Sequence, residues 1–145
     1  MQDFRELKVW QKAHDLTLDV YRLTQAFPRQ EVYGLTSQMR RAAVSIGSNI
    51  CEGCGRGTLP EFIQFCQNAF GSASELEYQL LLARDLQYLD GTAYKALAEA
   101  TVEVERMLAA FLTTLRDRAG KPRTKGYVAY RKAAATSTSG KSLTT

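Results

Sequence analysis

Cys51 and Cys54 stand three residues apart, the spacing at which two thiolates hold zinc or exchange disulfides. The other ligands of such a centre are scarce. Cys66 and His14 are the remaining cysteine and the single histidine, no second Cys-x-x-Cys follows, and no strand precedes the motif as a thioredoxin-like site requires. The three cysteines therefore read as small core residues, buried or partly exposed. One histidine also excludes a four-helix di-iron centre, which needs two Glu-x-x-His pairs, and no Glu precedes His14 by three positions. A serine or cysteine nucleophile would have to recruit the same His14 as its base. No glycine-rich loop follows a strand, so phosphate-cradling turns are missing too. This inventory names no catalytic residue, no metal and no cofactor, and an enzyme is not expected.

Basic residues offer more. On a helical projection Arg41, Ser45, Ser48 and Glu52 form a narrow stripe opposite an apolar seam, with Arg40 and Gly47 on one flank and Asn49 on the other. Small side chains there admit a second helix or a phosphate backbone, while Arg40, Arg41 and Arg56 can pair with phosphates or with Glu52, Glu75 and Glu77. A second cluster lies near the end of the chain, where Lys121, Arg123, Lys125, Arg131 and Lys132 are interleaved with Tyr127 and Tyr130. Cations neutralise phosphates and aromatic rings stack on unpaired bases; the alternative is a solubilising tail. Charge is segregated accordingly. Residues 1–115 carry 11 Lys+Arg against 14 Asp+Glu, net −3, and residues 116–145 carry 8 against 1, net +7. A basic tail on a mildly acidic body points to a polyanionic partner, RNA or DNA.

Four seams must position these residues. Val9, Ala13, Leu16, Val20, Leu23 and Phe27 recur at spacings of four and three, the signature of a bundled helix that Pro28 ends. Met39, Ala43, Ile46, Ile50 and Gly53 form the second seam, expected to stop in the glycine-rich run 53–57. Thr58-Leu59-Pro60-Glu61 is a capping box opening a third helix along Phe62, Cys66, Ala69, Ala73, Leu76, Leu80 and Ala83, expected to run to about Leu89. The fourth, Leu97, Thr101, Val104, Leu108, Phe111 and Leu115, leaves at Gly120 and Pro122. The reading is all-α: an antiparallel up-down-up-down four-helix bundle over 1–120 and a basic flexible arm over 121–145.

Apolar residues off the seams, Trp10, Leu18 and Tyr21 on the first helix and Ile63, Phe70, Tyr78, Leu81, Leu82 and Tyr88 on the third, exceed what one interior can hold. A homo-oligomer follows, with Trp10, Leu18, Tyr21, Phe70, Tyr78 and Leu81 at its interface. No stretch is apolar enough for a membrane span. The start of the chain has no basic segment followed by an apolar one, and an uneven three cysteines do not make a disulfide scaffold, so a cytoplasmic location is expected.

The string from Leu35 to Gly53, LTSQMRRAAVSIGSNICEG, followed by Gly55-Arg56, carries a resemblance. With Val9-Trp10-Gln11-Lys12-Ala13, the segment from Phe62 to Ala69, and Gly71-Ser72-Ala73-Ser74-Glu75-Leu76-Glu77, it resembles the four-helix-bundle family encoded by intervening sequences of 23S ribosomal RNA genes, to which the accessory variability proteins of diversity-generating retroelements are related. The resemblance spans about residues 4 to 118. It implies a ring-like homopentamer without catalytic activity and, for the retroelement branch, binding of nucleic acid and association with a reverse transcriptase. The family's polar positions fall here on Arg40, Arg41, Asn49, Glu52, Arg56 and Glu75. Gly47 replaces a frequent proline and Cys51 a usual alanine. The alternative function is a protein-interaction scaffold with no direct nucleic-acid role.

Overall fold

In a computed structural model, residues 2–120 are described. Four α-helices carry them: α1 (Lys8–Thr24), α2 (Leu35–Gly55), α3 (Leu59–Asp85) and α4 (Gly91–Arg118). Single 3-10 turns, Phe4–Glu6 and Arg29–Glu31, precede α1 and α2, and no strand occurs among the described residues. The basic residues Lys121 to Lys132, with Tyr127 and Tyr130, lie outside them.

Three of the four helix starts have a side-chain acceptor for the orphan N–H groups of a first turn, while α1 starts at Leu7 without one. Thr58 accepts from the Glu61 N–H at 3.4 Å, as the capping box requires, and Asp90 accepts from Ala93 at 2.7 Å. For α2 the cap is remote: the Glu31 carboxylate, on the preceding 3-10 turn, accepts from the Leu35 N–H at 2.9 Å and places negative charge at the positive end of the helix.

Contacts fix the directions. Thr17 donates to Ala43 O at 3.1 Å and Arg40 reaches back to Thr24, so α1 and α2 run oppositely. Ser45 meets Ser72 at 2.9 Å while Gly53 lies under Phe62 and Phe65, reversing α2 against α3. Phe62 packs on Phe111 with ring centroids 5.5 Å apart, and Lys12 pairs with Glu103 at 3.7 Å to close α4 against α1. Each helix thus touches its two neighbours and none touches its diagonal, the arrangement of an up-down-up-down bundle. The core is one cluster led by Leu16, Met39, Ile46, Ile50, Leu76, Leu80 and Leu108, with a smaller one of Ile63, Cys66, Leu112 and Leu115 towards the chain's last turns.

Two boundaries differ from the periodicity. Helix α1 stops at Thr24, and Phe27 is buried from the following turn, 5.4 Å from the ring of Tyr88. Helix α3 stops at Asp85 instead of near Leu89. Its carbonyls are closed by Gln87 donating to Arg84 O and Tyr88 to Ala83 O, both at 2.9 Å, with Gln87 in the left-handed region at φ 62°. Asp90 begins α4 as its cap. Helix α2 ends at Gly55, inside the expected glycine-rich run, and its seam residue Gly53 lies close under α3: a Cβ there would stand 2.8 Å from Phe62 Cδ2 and 3.0 Å from Phe65 Cβ. The glycine permits that approach.

Candidate nucleic-acid interface

The polar stripe of α2 divides when its contacts are drawn. Ser45 and Asn49 turn to α3, whereas Ser48 is exposed and Gly47 lies against Trp10 of α1. Asn49 Nδ2 donates to Ser45 O at 2.7 Å and to Ser45 Oγ at 3.0 Å, Ser45 Oγ bonds Ser72 Oγ, and Ser72 donates to Asn68 O at 3.2 Å. The second helix that Ser45 meets is α3 of the same chain.

Arg40 is a clamp between α2 and α1. Its Nε donates to Thr24 Oγ1 at 2.9 Å, its Nη2 to Tyr21 O at 3.4 Å, and its guanidinium lies 4.8 Å from the centre of the Tyr21 ring. A cation at the last turn of α1 also complements that helix's negative end. Arg56 pairs with Glu52 at 2.9 Å, one turn earlier, and covers the Phe65 ring at 5.0 Å. Both partners of this pair are about half exposed. Exposed pairs one turn apart contribute only about 0.3–0.5 kcal/mol, so a phosphate can displace Glu52 at small cost. Arg41 is exposed and carries no hydrogen bond or ion pair among the described residues. Sixteen residues separate Arg40 from Arg56, about 24 Å along a helix. The three arginines therefore form two separate points along α2 rather than one cluster.

The acidic residues on α3 are engaged elsewhere. Glu75 accepts from Gln79 at 3.1 Å. Glu77 hydrogen-bonds Glu105, a glutamate of α4 with no exposed surface, whose carboxyl is pushed up to about 9 by burial first and by its bond to and repulsion from Glu77 second. Glu105 was not singled out from the sequence. Its only signal is that it stands beside the fourth seam, four residues after Thr101 and four before Ala109, both buried.

His14 is exposed and lies 5.0 Å from Trp10, ring on ring at 8°. The cysteines are all reduced, and no group of three metal-ligating side chains occurs among the described residues. No described helix is long and apolar enough to cross a membrane.

Of the expected interface residues, Leu18, Tyr21, Tyr78 and Leu81 are exposed, Tyr78 at 63%. Trp10 and Phe70 are half-buried within the chain. Trp10 packs edge-on to Phe4 with centroids 4.9 Å apart and over Gly47, whose Cβ would stand 3.4 Å from the indole Nε1; Phe70 packs on the main core. Among the other off-seam residues, Ile63 is buried, and Leu82 and Tyr88 pack against the core. Val44 on α2, and Val32, Tyr33 and Leu86 in the connections, are exposed apolar residues that periodicity did not single out.

Residues 5–110 match the family model of the 23S rRNA-intervening sequence protein. Six chains among solved structures match, including the crystal structure of a protein of unknown function from the S23 ribosomal protein family of Bacteroides thetaiotaomicron. That likeness has a TM-score of 0.67 at 23% identity and covers 72% of this chain and 95% of the other, a similarity of fold. None of the curated proteins matches.

Proposed function

The chain belongs to the 23S rRNA-intervening sequence protein family, and on that premise we propose that it is a non-enzymatic, self-assembling accessory protein that holds RNA through its basic C-terminal segment. The carrying observation is the segregation of charge, +7 over residues 116–145 against −3 over the remainder. An acidic bundle repels a polyanion and a basic segment attracts it, so the segment supplies the affinity and the bundle the scaffold. Arg41, free at the surface, and Arg56, held by a weak exposed pair, are the positions on the bundle that a phosphate backbone could reach. The finer form of the proposal is a homopentamer that serves the reverse transcriptase of a diversity-generating retroelement. Exposed Leu18, Tyr21, Tyr78 and Leu81 support the self-assembly.

Binding of structured RNA by the full chain at two salt concentrations tests the reading. Affinity should fall steeply with salt. Converting Lys121, Arg123, Lys125, Arg131 and Lys132 to glutamine should flatten the slope by up to about 3.5 if each cation neutralises one phosphate of a single strand. Binding that ignores salt or these five changes overturns the electrostatic site. Light scattering tests the assembly, which a monomer mass would refute.

The second reading, a scaffold for proteins alone, is favoured by one observation: Tyr33, 95% exposed, lies beside half-exposed Val32 in the α1–α2 connection. Partner capture that survives nuclease treatment and requires Tyr33 would support it.

A further inference from the structure

Cys51 and Cys54 both occupy the last turn of α2. Cys51 is half-exposed, and Cys54, though buried, lines an open cavity of about 230 Å³ walled also by Gln2, Arg56, Gly57, Leu59 and Phe62. Cys66, on α3, is sealed in the second core cluster. Helix geometry sets Cα atoms three residues apart at about 5 Å, inside the roughly 4.4–6.8 Å that a disulfide spans. The side chains of an ideal turn diverge too far for the bond itself, so closure needs the turn to loosen. This turn is built to do so. Gly53 and Gly55 lie in it, each about 1 kcal/mol poorer than alanine as a helix former, and its last bond, Arg56 N–H to Gly53 O at 3.3 Å, is already of the 3-10 type.

We propose that Cys51 and Cys54 form a peroxide-oxidisable dithiol, a reversible modification site at the end of α2. The Cys51 thiolate attacks one oxygen of the peroxide, the O–O bond breaks, and Cys51 becomes a sulfenic acid as hydroxide leaves. The Cys54 sulfur then attacks Cys51 sulfur. The S–O bond breaks, the S–S bond forms, and the departing hydroxide takes the Cys54 proton to leave as water. Two thiols and one hydrogen peroxide give one disulfide and two waters: sulfur is oxidised and peroxide oxygen reduced. Exposure assigns the roles, with Cys51 meeting the oxidant and Cys54 resolving it. Burial, and less strongly Cys51 and Asp3, pushes the Cys54 thiol up, so resolution should quicken as pH rises from 7 to 9. Cys66, pushed up to about 12 mainly by burial, takes no part.

The test treats the full chain with hydrogen peroxide under conditions that leave its far-UV circular dichroism unchanged, followed by intact-mass and peptide analysis. The expected product is about 2 Da lighter, has lost two of its three alkylatable thiols and reverts with dithiothreitol. Cys66→Ala should retain it and Cys51→Ser should lose it. In Cys54→Ala, Cys51 should instead gain about 32 Da as a sulfinic acid. Accumulation of that heavier species in the wild-type chain, a disulfide through Cys66 or between chains, or three thiols left intact would each overturn the proposal.

Discussion

Glu105→Gln should stabilise the protein, and by an amount that depends on pH. In the folded chain Glu105 holds its proton to about 9, against 4.5 for an ordinary glutamate, mainly because its carboxyl has no exposed surface and secondarily because Glu77 stands against it. The folded state therefore binds one more proton than the unfolded state throughout the window between these values. Stability is highest below 4.5 and falls as pH rises through the window, by at most about 1.4 kcal/mol per unit. From 4.5 to 7 that amounts to roughly 3 kcal/mol, and relaxation around the pair reduces it to about 2. Glutamine has the shape and the donor of the protonated acid but nothing to ionise. Urea unfolding followed by circular dichroism at pH 5, 7 and 8.5 measures the difference. Variant and wild type should nearly coincide at pH 5, and the variant should lead by about 2 kcal/mol at pH 7 and more at 8.5. A difference independent of pH, or a variant weaker at 8.5, would refute the buried protonated carboxyl.

Two further outcomes concern backbone. Gly53→Ala should destabilise the bundle by about 1–3 kcal/mol in the same unfolding assay, because the new methyl meets Phe65 Cβ, an atom fixed to its backbone, at 3.0 Å; a gain would show that α2 and α3 can part. Gln87→Gly should raise stability by about 1 kcal/mol by relieving the left-handed conformation at φ 62°, readable as a higher melting temperature.

Spacing in the sequence located the four helices because a bundle core imposes its period on every helix it contains. Leu16, Val20, Met39, Ile46, Leu76, Leu80 and Leu108 are all fully or almost fully buried, as their seams required. What spacing does not carry is anything set by a partner distant in the chain. Spacing put Gly53 on the second seam, but why that seam position is a glycine is shown only by the approach of Phe62 and Phe65. The α3 exit at Gln87 escaped notice because a glutamine is not the residue normally found at positive φ. Glu105 escaped because a charged side chain is assumed to face water until a second carboxyl and a covering helix are seen. The arginines show the same limit from the opposite side. Composition marked Arg40 as a candidate for phosphate, but Thr24, Tyr21 and the end of α1, sixteen to nineteen residues back, are its partners here. The exposed position of Arg41 separates two neighbours that the sequence treats alike.

The exposed apolar residues have a consequence for symmetry. Leu18 and Tyr21 belong to α1 and Tyr78 and Leu81 to α3, and these two helices are diagonal, without contact across the core. Their outer surfaces therefore point away from each other. A two-fold axis brings a surface against itself, so a simple dimer would cover one of these patches and leave the other in water. Covering both takes two contacts per copy, either two different two-fold contacts or a head-to-tail contact in which each copy presents its α1 side to one neighbour and its α3 side to another. Such a chain of copies ends only when its rotation completes a circle; otherwise it grows as a filament. The angle between the outer faces of α1 and α3, rather than the strength of either patch, would decide between the two.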